Sequence, residues 1–409
     1  MSSTTPENPC KIEVVGALAD ISAADWNRVA GPVNPFVQYE FLATLEATGC
    51  LGQSSGWYPR HVLVSRDERL VGAMPMYIKT NSHGEFVFDW AFADAYERHG
   101  LQYYPKLVVA VPFTPATGPR FLVDSTEPDQ AGIIDALVGG ALTFAEREEI
   151  SSVHWLFPDG KQQARLRERG LLERRGYQFH WGNPGFRDFQ DFLDSLTHKR
   201  RKEIRRERRD VADAGLDMEV LWGRDAQERH WAAFHEFYCA IYDRKWGFPS
   251  LTLDFFLTIG ERMPDAALLM LAARDGQYIA GTYSLCGTET LFGRNWGCIE
   301  QHRGLHFELC YYQHIEIAIA RGLGRLEAGA QGEHKVSRGF LPTSTYSAHW
   351  IAHPSFRRAV DDFITEEAAD VDRYLAAASQ HSPFKEGALE QIAAREALTS
   401  SADARNRRS

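Results

Sequence analysis

Apolar positions recur with helical spacing in some segments of the chain and form short β-type segments in others. Two helical patterns precede two β-type segments in the first half, and the same order returns past the middle. The helical patterns cover 23–30, 35–47, 231–242 and 253–263, and the β-type segments cover 61–65, 70–77, 268–273 and 278–286. A polar turn separates the β-type segments of each pair. The pattern predicts two antiparallel hairpins, each behind two helices.

The two hairpins also share short runs of sequence. Leu63-Val-Ser-Arg-Asp67 precedes Leu70-Val-Gly-Ala73 in the first, and Leu271-Ala-Ala-Arg-Asp275 precedes Ile279-Ala-Gly-Thr282 in the second. A tandem repeat of one α/β unit, roughly 180 to 200 residues long, explains both the order and the echo. Chance similarity of two hairpins is the alternative.

The second repeat continues in a pattern that is easier to interpret. A strand at 288–296, a polar loop at 300–304, a helix at 306–321 and a strand at 325–330 follow its hairpin. This order predicts a βαβ element, whose loop presents backbone N–H groups at a helix N-terminus, where anionic ligands bind. A strand at 345–351 and a helix at 356–376 complete the unit. One long helical pattern, 186–214, joins the two repeats.

Length and composition set outer limits on this architecture. With 409 residues the chain is long enough for two or three domains, and its net charge of -10 argues against a surface that coats nucleic acid. The predicted domains are an N-terminal module at 11–185, a basic connecting helix at 186–215, a C-terminal module at 216–380 and a tail at 381–409.

Cysteine usage and hydropathy bear on the compartment. The six cysteines are scattered and form no C-x-x-C pair, which fits a reducing environment. The N-terminal residues lack the pattern of a signal peptide, and no apolar run approaches the ~20 residues that span a bilayer. We therefore expect a cytoplasmic protein without a membrane span. The sequence carries no signal for an oligomeric state.

The connecting helix contains a strongly basic run. Eight of the twelve residues at 198–209 are Lys or Arg, and Glu203 and Glu207 are the acids among them. Three interpretations stay open: a solvated helix with internal ion pairs, a phosphate clamp, and a nucleic-acid binding surface. The phosphate-binding candidates are Lys199, Arg200, Arg201 and Arg205.

The strongest candidate site is a glycine-bracketed ionic loop after the predicted strand 325–330. Its glycines, Gly329, Gly332 and Gly339, indicate special backbone geometry. The candidate catalytic residues are Glu327, Glu333 and His334, and the candidate substrate-binding residues in the loop are Gln331, Lys335 and Arg338. A histidine titrates near neutral pH and suits a general base, whereas lysine and arginine suit a phosphate or an oxyanion. A solvated surface loop is the alternative.

Histidine and cysteine also recur every four residues along the next helix. His302, His306, Cys310 and His314 show this spacing. Because each four-residue step rotates by about 40°, the four side chains span about 120° and do not converge on one ion. We therefore predict no metal site.

Several of these segments resemble a known family. They are Phe86-Val-Phe-Asp-Trp90, Tyr103-Tyr-Pro-Lys-Leu107, 111–118, 199–205 and 327–342. Together with the tandem units they resemble the FemAB-like proteins, a bacterial group within the GNAT (Gcn5-related N-acetyltransferase) superfamily that is labelled peptidoglycan biosynthesis or recognition. The resemblance implies an α/β fold of two tandem GNAT-like modules, each a mixed, mostly antiparallel sheet flanked by helices.

The resemblance also implies an activity, with the chemistry in the C-terminal module. It implies an N-acyltransferase that moves an acyl or aminoacyl group to an amine acceptor, such as a cell-envelope precursor, by direct attack of the amine on an activated carbonyl. The alternatives are an acetyl-CoA-dependent N-acetyltransferase acting on a small amine, and a non-catalytic protein that binds a precursor.

The donor stays open between acyl-CoA and aminoacyl-tRNA, and neither would be a permanently bound cofactor. A typical GNAT loop before the helix reads Q/R-x-x-G-x-G/A, but here Gln301-His-Arg-Gly-Leu-His306 replaces its second glycine by histidine. The donor-binding candidates are Arg303, Gly304 and His306. A tRNA, a nucleotide or a lipid phosphate is a candidate partner of the basic run.

Aromatic and polar residues elsewhere complete the set of candidates. Those that could line a substrate cleft are Arg294, Trp296, Tyr242, Trp246, Asp89 and Trp90. A core position is the alternative for each tryptophan. Spacing does not decide which histidine or carboxylate acts as the base.

Overall fold

The structure is a computed structural model that describes residues 10–245, 249–330 and 332–392. The predicted substrate residues Trp246 and Gln331, and the 393–409 part of the predicted tail, lie outside the described residues. The chain divides into two compact units, unit 1 with Met1–Gly176 and Thr345–Ala369, and unit 2 with Tyr177–Ser344 and Asp370–Ser409.

These units differ from the predicted division at 185 and 216. Their boundaries fall within two long strands, Leu172–Gly182 and Leu341–Ile351, and within a long helix, Pro354–Ser379. Each unit is therefore made of two separate stretches of chain. The pattern of hydrophobic positions along the sequence does not show which distant stretches of chain combine into one unit.

Within the described residues the strands have the following bounds. They are β1 (Lys11–Val15), β2 (Trp57–Pro59), β3 (His61–Arg66), β4 (Arg69–Met74), β5 (Met76–Lys79), β6 (Lys106–Val109), β7 (Leu122–Val123), β8 (Ser152–Leu156), β9 (Leu172–Gly182), β10 (Asp217–Trp222), β11 (Ala267–Arg274), β12 (Gln277–Cys286), β13 (Thr290–Cys298), β14 (Arg325–Glu327) and β15 (Leu341–Ile351).

The α-helices alternate with these strands along much of the chain. They are α1 (Ala23–Ala30), α2 (Tyr39–Ala47), α3 (Trp90–Arg98), α4 (Gln130–Arg147), α5 (Gly160–Glu168), α6 (Phe189–Ser195), α7 (His198–Ala212), α8 (Glu228–Lys245), α9 (Leu253–Arg262), α10 (Leu305–Phe307), α11 (Gln313–Ala320) and α12 (Pro354–Ser379). A π-helix, Glu308–Tyr312, joins α10 to α11, and a 3-10 helix, Glu333–Arg338, precedes β15.

Unit 2 is built on one mixed sheet. Its strands lie in the order β10, β11, β12, β13, β14 and β9, and only the β13–β14 pair among these is parallel. Helix α8 packs against β13 at Gly297, where a Cβ atom would lie 2.3 Å from the backbone of Phe237. Only glycine permits this close approach of helix and strand.

The described part of unit 1 contains two sheets. One has the order β15, β8, β6, β5 and β2 and the other the order β1, β3, β4 and β7, with α4 packed on the second sheet. The β6–β8 pair is parallel, as is β13–β14 in unit 2. The segment that follows β6, residues 110–116, is buried, and Gly118 bridges Pro158, so the two strands stay together.

The predicted fold class is confirmed: both units combine mixed sheets with flanking helices. The four predicted hairpin strands and the helices before them are present. The predicted helix over 186–214 is wrong as one element, because the chain forms α6 and α7 with a break at Leu196 and Thr197. There Leu196 forms a β-bridge with Phe384, a contact far along the sequence.

Candidate active site

The site of interest in unit 2 lies where two parallel strands separate. Strands β13 and β14 pair at three positions, from Thr290 with Arg325 to Phe292 with Glu327. Beyond this point β13 continues to Cys298, whereas β14 ends and the chain turns away at Ala328. The space between them forms a cavity of about 200 Å³, whose lining is Thr282, Gly293, Arg294, Asn295, Trp296, His306, Cys310, Tyr311, His314, Ala328, Gly329, Ala330, His334 and Lys335.

A β-bulge in β13 contributes to this opening. Ser284 of β12 pairs with Gly293, and its neighbour Tyr283 pairs with Asn295, so Arg294 is an extra residue on β13. A bulge bends its strand and increases the local twist. Burial lowers the pKa of Arg294 to about 10 against the opposite influence of nearby phenols and of Glu327, so this guanidinium stays cationic at neutral pH.

The floor of the cavity is polar but uncharged. His314 is fully buried, and its two ring nitrogens contact Ser284 Oγ at 2.5 Å and Leu309 O at 2.6 Å. Burial lowers the pKa of His314 to about 4, so its ring is neutral. Burial also raises the pKa of the Cys310 thiol to about 12. At neutral pH this thiol is protonated and is a poor nucleophile.

A π-helical turn presents two consecutive tyrosines to the ionic loop. Gly304 begins the helix with a left-handed φ of 83°, and the π-helix Glu308–Tyr312 follows α10 after one turn. The hydroxyl of Tyr311 contacts His334 Nε2 at 2.9 Å, and Tyr312 is hydrogen-bonded to Glu207 of α7. π-turns within helices often mark functional positions.

The ionic loop forms the 3-10 helix Glu333–Arg338 between two glycines in left-handed backbone conformations. The φ angles of Gly332 and Gly339 are 120° and 92°, values that a side chain would strain. His334 is solvent-accessible and lines the mouth of the cavity. Burial of its ring, with the positive charges of Arg338 and Lys335, lowers its pKa. His334 is therefore neutral at pH 7.

Lys335 points into the same cavity from its inner side. Its side chain is 1% exposed, and its ammonium donates a hydrogen bond to Gly329 O at 2.7 Å. Burial lowers the pKa of Lys335 to about 8. Among the described residues no carboxylate pairs with it. Unpaired buried charges are costly and rare in proteins.

Arg338 and the two candidate carboxylates have different surroundings from His334. Arg338 donates to Glu207 Oε1 at 2.7 Å and to His334 O at 2.8 Å, and its guanidinium lies over the Phe307 ring. Glu333 accepts a hydrogen bond from Tyr374 at 2.9 Å. Glu327 is buried at the end of β14, where it pairs with Arg325 and acts electrostatically on Arg294. None of the three residues is part of the cavity lining, so we expect Arg338 and Glu333 to support the loop.

The structure brings some of the predicted site residues together and separates others. The predicted residues that line one cavity are Arg294, Trp296, His306, His334 and Lys335. Tyr242 interacts electrostatically with Arg294. Asp89 and Trp90 belong to unit 1, where buried Asp89 is paired with Lys106 and Trp90 is exposed. Arg303 and Gly304 lie at the start of α10 outside the lining.

The basic helix α7 contacts the ionic loop on one side and exposes cations on the other. Glu207 pairs with Arg338, and Arg208 pairs with Glu308 and Glu316. Of the predicted phosphate ligands, Arg200 pairs with Glu203, Arg201 pairs with Asp194, and Arg205 donates to Gln190. The exposed cations Lys199, Lys202, Arg206 and Arg209 pair with no acid in the part of the chain that is described.

Sequence reasoning missed Tyr311, Tyr312 and the role of Glu207. The tyrosine pair is visible in the sequence, but an α-helical pattern places consecutive residues about 100° apart and does not predict a π-turn. One of the three interpretations of the basic run has Glu207 paired within that run, whereas in the structure it pairs with Arg338, 131 positions away. Within the described ranges, no three His, Cys, Asp or Glu side chains form a metal-binding group. Nor do those ranges contain a helix long and apolar enough to cross a membrane.

This chain was compared with protein families, solved structures and curated proteins. The family model FemAB-like, described as peptidoglycan biosynthesis/recognition, matches residues 17–386. The fold is similar to that of FemX (12% identity, TM-score 0.53, 83% of this chain and 98% of that one). It is also similar to L-PGS from Bacillus licheniformis (11% identity, TM-score 0.50, 82% of this chain and 98% of that one). No curated protein matches the sequence.

Proposed function

Because this chain belongs to the FemAB-like family of peptidoglycan biosynthesis and recognition, we propose that it is an N-acyltransferase acting on the amine of a cell-envelope precursor. The observation that carries the proposal is the cavity between β13 and β14, with neutral His334 at its mouth and buried Lys335 inside. Unit 2 carries the chemistry in this proposal, because the corresponding strands of unit 1 stay closed.

The proposed reaction is a direct attack of the amine on the activated carbonyl carbon of the donor. A C–N bond forms, the ester or thioester bond to the leaving group breaks, and His334 accepts the proton that the amine loses. The same proton then passes to the leaving oxygen or sulfur. No covalent enzyme intermediate is needed when the two reactants are held in contact.

Tyr311 determines which nitrogen of His334 can act as the base. If the Nε2–H of His334 donates to the Tyr311 hydroxyl oxygen, Nδ1 keeps a lone pair for the proton of the amine. The lowered pKa of His334 keeps the ring unprotonated at pH 7. The base role therefore requires the tautomer that carries its proton on Nε2.

The charge of the cavity wall assists the same step. Its described lining contains the cations Arg294 and Lys335 and no Asp or Glu. A positive environment disfavours an ammonium and favours the free amine, which is the nucleophilic form. Of these two cations, Arg294 would stabilise the negative charge that develops on the carbonyl oxygen.

For the donor we propose aminoacyl-tRNA. The exposed cations of α7 follow one surface of the helix that Glu207 attaches to the ionic loop. The sugar-phosphate backbone of a tRNA bound there would contact the same helix that holds the turn of His334 through Glu207 and Arg338. The loop at 301–306, in which histidine replaces the second glycine of the usual pyrophosphate loop, also supports a donor other than CoA.

This donor proposal makes a prediction about salt dependence. The double variant Lys202→Gln/Arg206→Gln should bind tRNA more weakly. The plot of the logarithm of the association constant against the logarithm of the salt concentration has a negative slope, and the size of this slope should decrease by about two because two phosphate contacts are lost. Filter binding over a salt series measures both quantities. The control is Arg224→Gln/Arg262→Gln, which removes two cations elsewhere in unit 2. Equal losses in both variants would exclude a specific role for α7.

A transfer assay tests the function itself. The purified chain is incubated with a peptidoglycan precursor peptide and either aminoacyl-tRNA or acetyl-CoA, and the mass of the peptide is measured. We expect an added aminoacyl mass that depends on tRNA. Acetylation with CoA alone would instead identify an N-acetyltransferase. Binding of the precursor without any mass change from either donor would identify a non-catalytic binding protein.

A further inference from the structure

Lys335 is a buried cation whose hydrogen bonds are incomplete. An ammonium has three N–H donors, and one of them bonds to Gly329 O at 2.7 Å. The side chain is 1% exposed and lines the cavity. Within the described residues the other two donors have no partner, and the side chain that carries them lines the cavity.

The surroundings of Lys335 do not supply the missing negative charge. The described lining of the cavity holds no carboxylate, and the second cation of the lining, Arg294, interacts electrostatically with Glu327, which is not part of the lining. Buried charges in proteins are normally paired or hydrogen-bonded throughout, because an unpaired one is costly. Among the described residues, Lys335 is thus a buried cation that has no carboxylate partner and that lines a cavity.

We propose that the cavity binds a carboxylate of the acceptor, so that the acceptor is an amine with a carboxylate close to its nucleophilic nitrogen. The binding site itself follows from the cavity, and only its assignment to the acceptor rests on the proposed transfer reaction. Lys335 and His334 are neighbours in one 3-10 turn and both line the cavity. A carboxylate on Lys335 would therefore place an adjacent amine within reach of His334.

The two remaining N–H donors of Lys335 match a carboxylate better than a phosphate group. Two N–H groups suit the two oxygens of one carboxylate, whereas a phosphate monoester has three strong acceptor oxygens. The cations suited to a phosphate chain are on α7, outside the cavity lining. The polar floor, formed by Thr282, His314 and Cys310, is uncharged and does not repel an anion.

Binding of small probes tests the carboxylate site without any need for turnover. Acetate, glycine, ethylamine and inorganic phosphate are each titrated at constant ionic strength and pH 7, and the melting temperature and tryptophan fluorescence are followed. We expect acetate and glycine to raise the melting temperature of the wild-type protein and ethylamine to leave it unchanged. Lys335→Met should abolish both shifts, and Lys335→Arg should retain part of them.

Three results would overturn the inference. They are equal carboxylate shifts in the wild type and in Lys335→Met, a shift with phosphate that depends on Lys335 where acetate gives none, and an ethylamine shift as large as that of glycine. Circular dichroism of each variant verifies its fold, and Lys335→Arg keeps the test decisive if Lys335→Met does not fold.

A competition experiment connects the site to the reaction. In the transfer assay, acceptors with a carboxylate beside the amine should have a KM at least about tenfold lower than the same amines as methyl esters, because a charge-assisted hydrogen bond is lost in the ester. The difference should vanish in Lys335→Met. Carboxylate binding without transfer would preserve the site and contradict the proposed function. Transfer with equal KM values for acid and ester would contradict the inference alone.

Discussion

Replacing His334 with asparagine is expected to lower the turnover number by about 10²- to 10⁴-fold, the usual contribution of a positioned general base. The stability of the protein should change little. The side chain is solvent-accessible at the mouth of the cavity, and its described hydrogen bond is the one with Tyr311. Single-turnover kinetics measures the chemical step, and thermal unfolding verifies that the variant is folded.

The pH profile separates a base from a residue that merely shapes the cavity. Burial and the charges of Arg338 and Lys335 lower the pKa of His334, so the catalytically active, unprotonated form should dominate above a pH that is itself below 6.5. The wild-type rate should rise with pH through that value and then level off, and His334→Asn should lose this limb. Tyr311→Phe keeps the His334 ring but removes the contact that selects its tautomer, so it should lower the rate and still show this limb. A His334→Asn variant with the wild-type rate would exclude the base role.

The parts of the fold that sequence predicts well are those whose pattern is local. The hairpins β3–β4 and β11–β12 have short, mostly apolar runs on both sides of a polar turn, and helix α1 has Ser22 as its N-cap at the predicted boundary. No local sequence signal shows that the boundaries between the units fall within the strands β9 and β15. The break between α6 and α7 depends on a bridge from Leu196 to Phe384, so local helical spacing did not reveal it.

In the candidate site, too, features that are contiguous in the sequence were predictable, whereas contacts between distant residues were not. The glycines and charges of 327–338 are contiguous, so their common loop was predictable, and the structure places His334 and Lys335 on one cavity. The pairing of Arg338 with Glu207 was not predictable, because an arginine in a loop has no sequence feature that distinguishes a substrate ligand from a support. Asp89 shows the same ambiguity in unit 1, where a candidate substrate residue is a buried counterion.

That counterion belongs to a charge cluster at the start of β6. Lys106 is fully buried, and its ammonium donates to Glu85 at 2.8 Å, to Ser82 at 3.0 Å and to Asp89. Burial opposes the charged form of Lys106, but Glu85 and Asp89 raise its pKa. Burial raises the pKa of Glu85 to about 7. The cluster attaches the segment 82–89 to the sheet of unit 1.

The attachment of segment 82–89 depends on the buried cation Lys106. Within the segment, Ser82, Glu85 and Asp89 are buried, whereas Phe86 and Phe88 are exposed. The usual arrangement of apolar and polar side chains is thus reversed. Without its cation the segment would leave two carboxylates buried beside each other, which is far more costly than replacing the whole cluster by apolar residues.

Lys106→Met is therefore expected to destabilise unit 1 by about 3–5 kcal/mol, the range for breaking a buried ion pair by removing one partner. Native-state hydrogen exchange of the β5 and β6 amides measures the loss in unit 1 separately from unit 2. Lys11→Met, which removes a lysine from the exposed pair with Glu13, should change the free energy of unfolding by less than about 0.5 kcal/mol.

The pH dependence of the loss identifies its cause. Without Lys106 the folded-state pKa values of Glu85 and Asp89 rise above their unfolded values, so stability is retained at low pH and is lost as the pH increases through the folded values. The deficit of Lys106→Met should therefore be smaller at pH 5 than at pH 8, and adding Glu85→Gln and Asp89→Asn should recover part of it. A deficit that is the same at both pH values, with no recovery in the triple variant, would indicate lost packing instead of uncompensated charge.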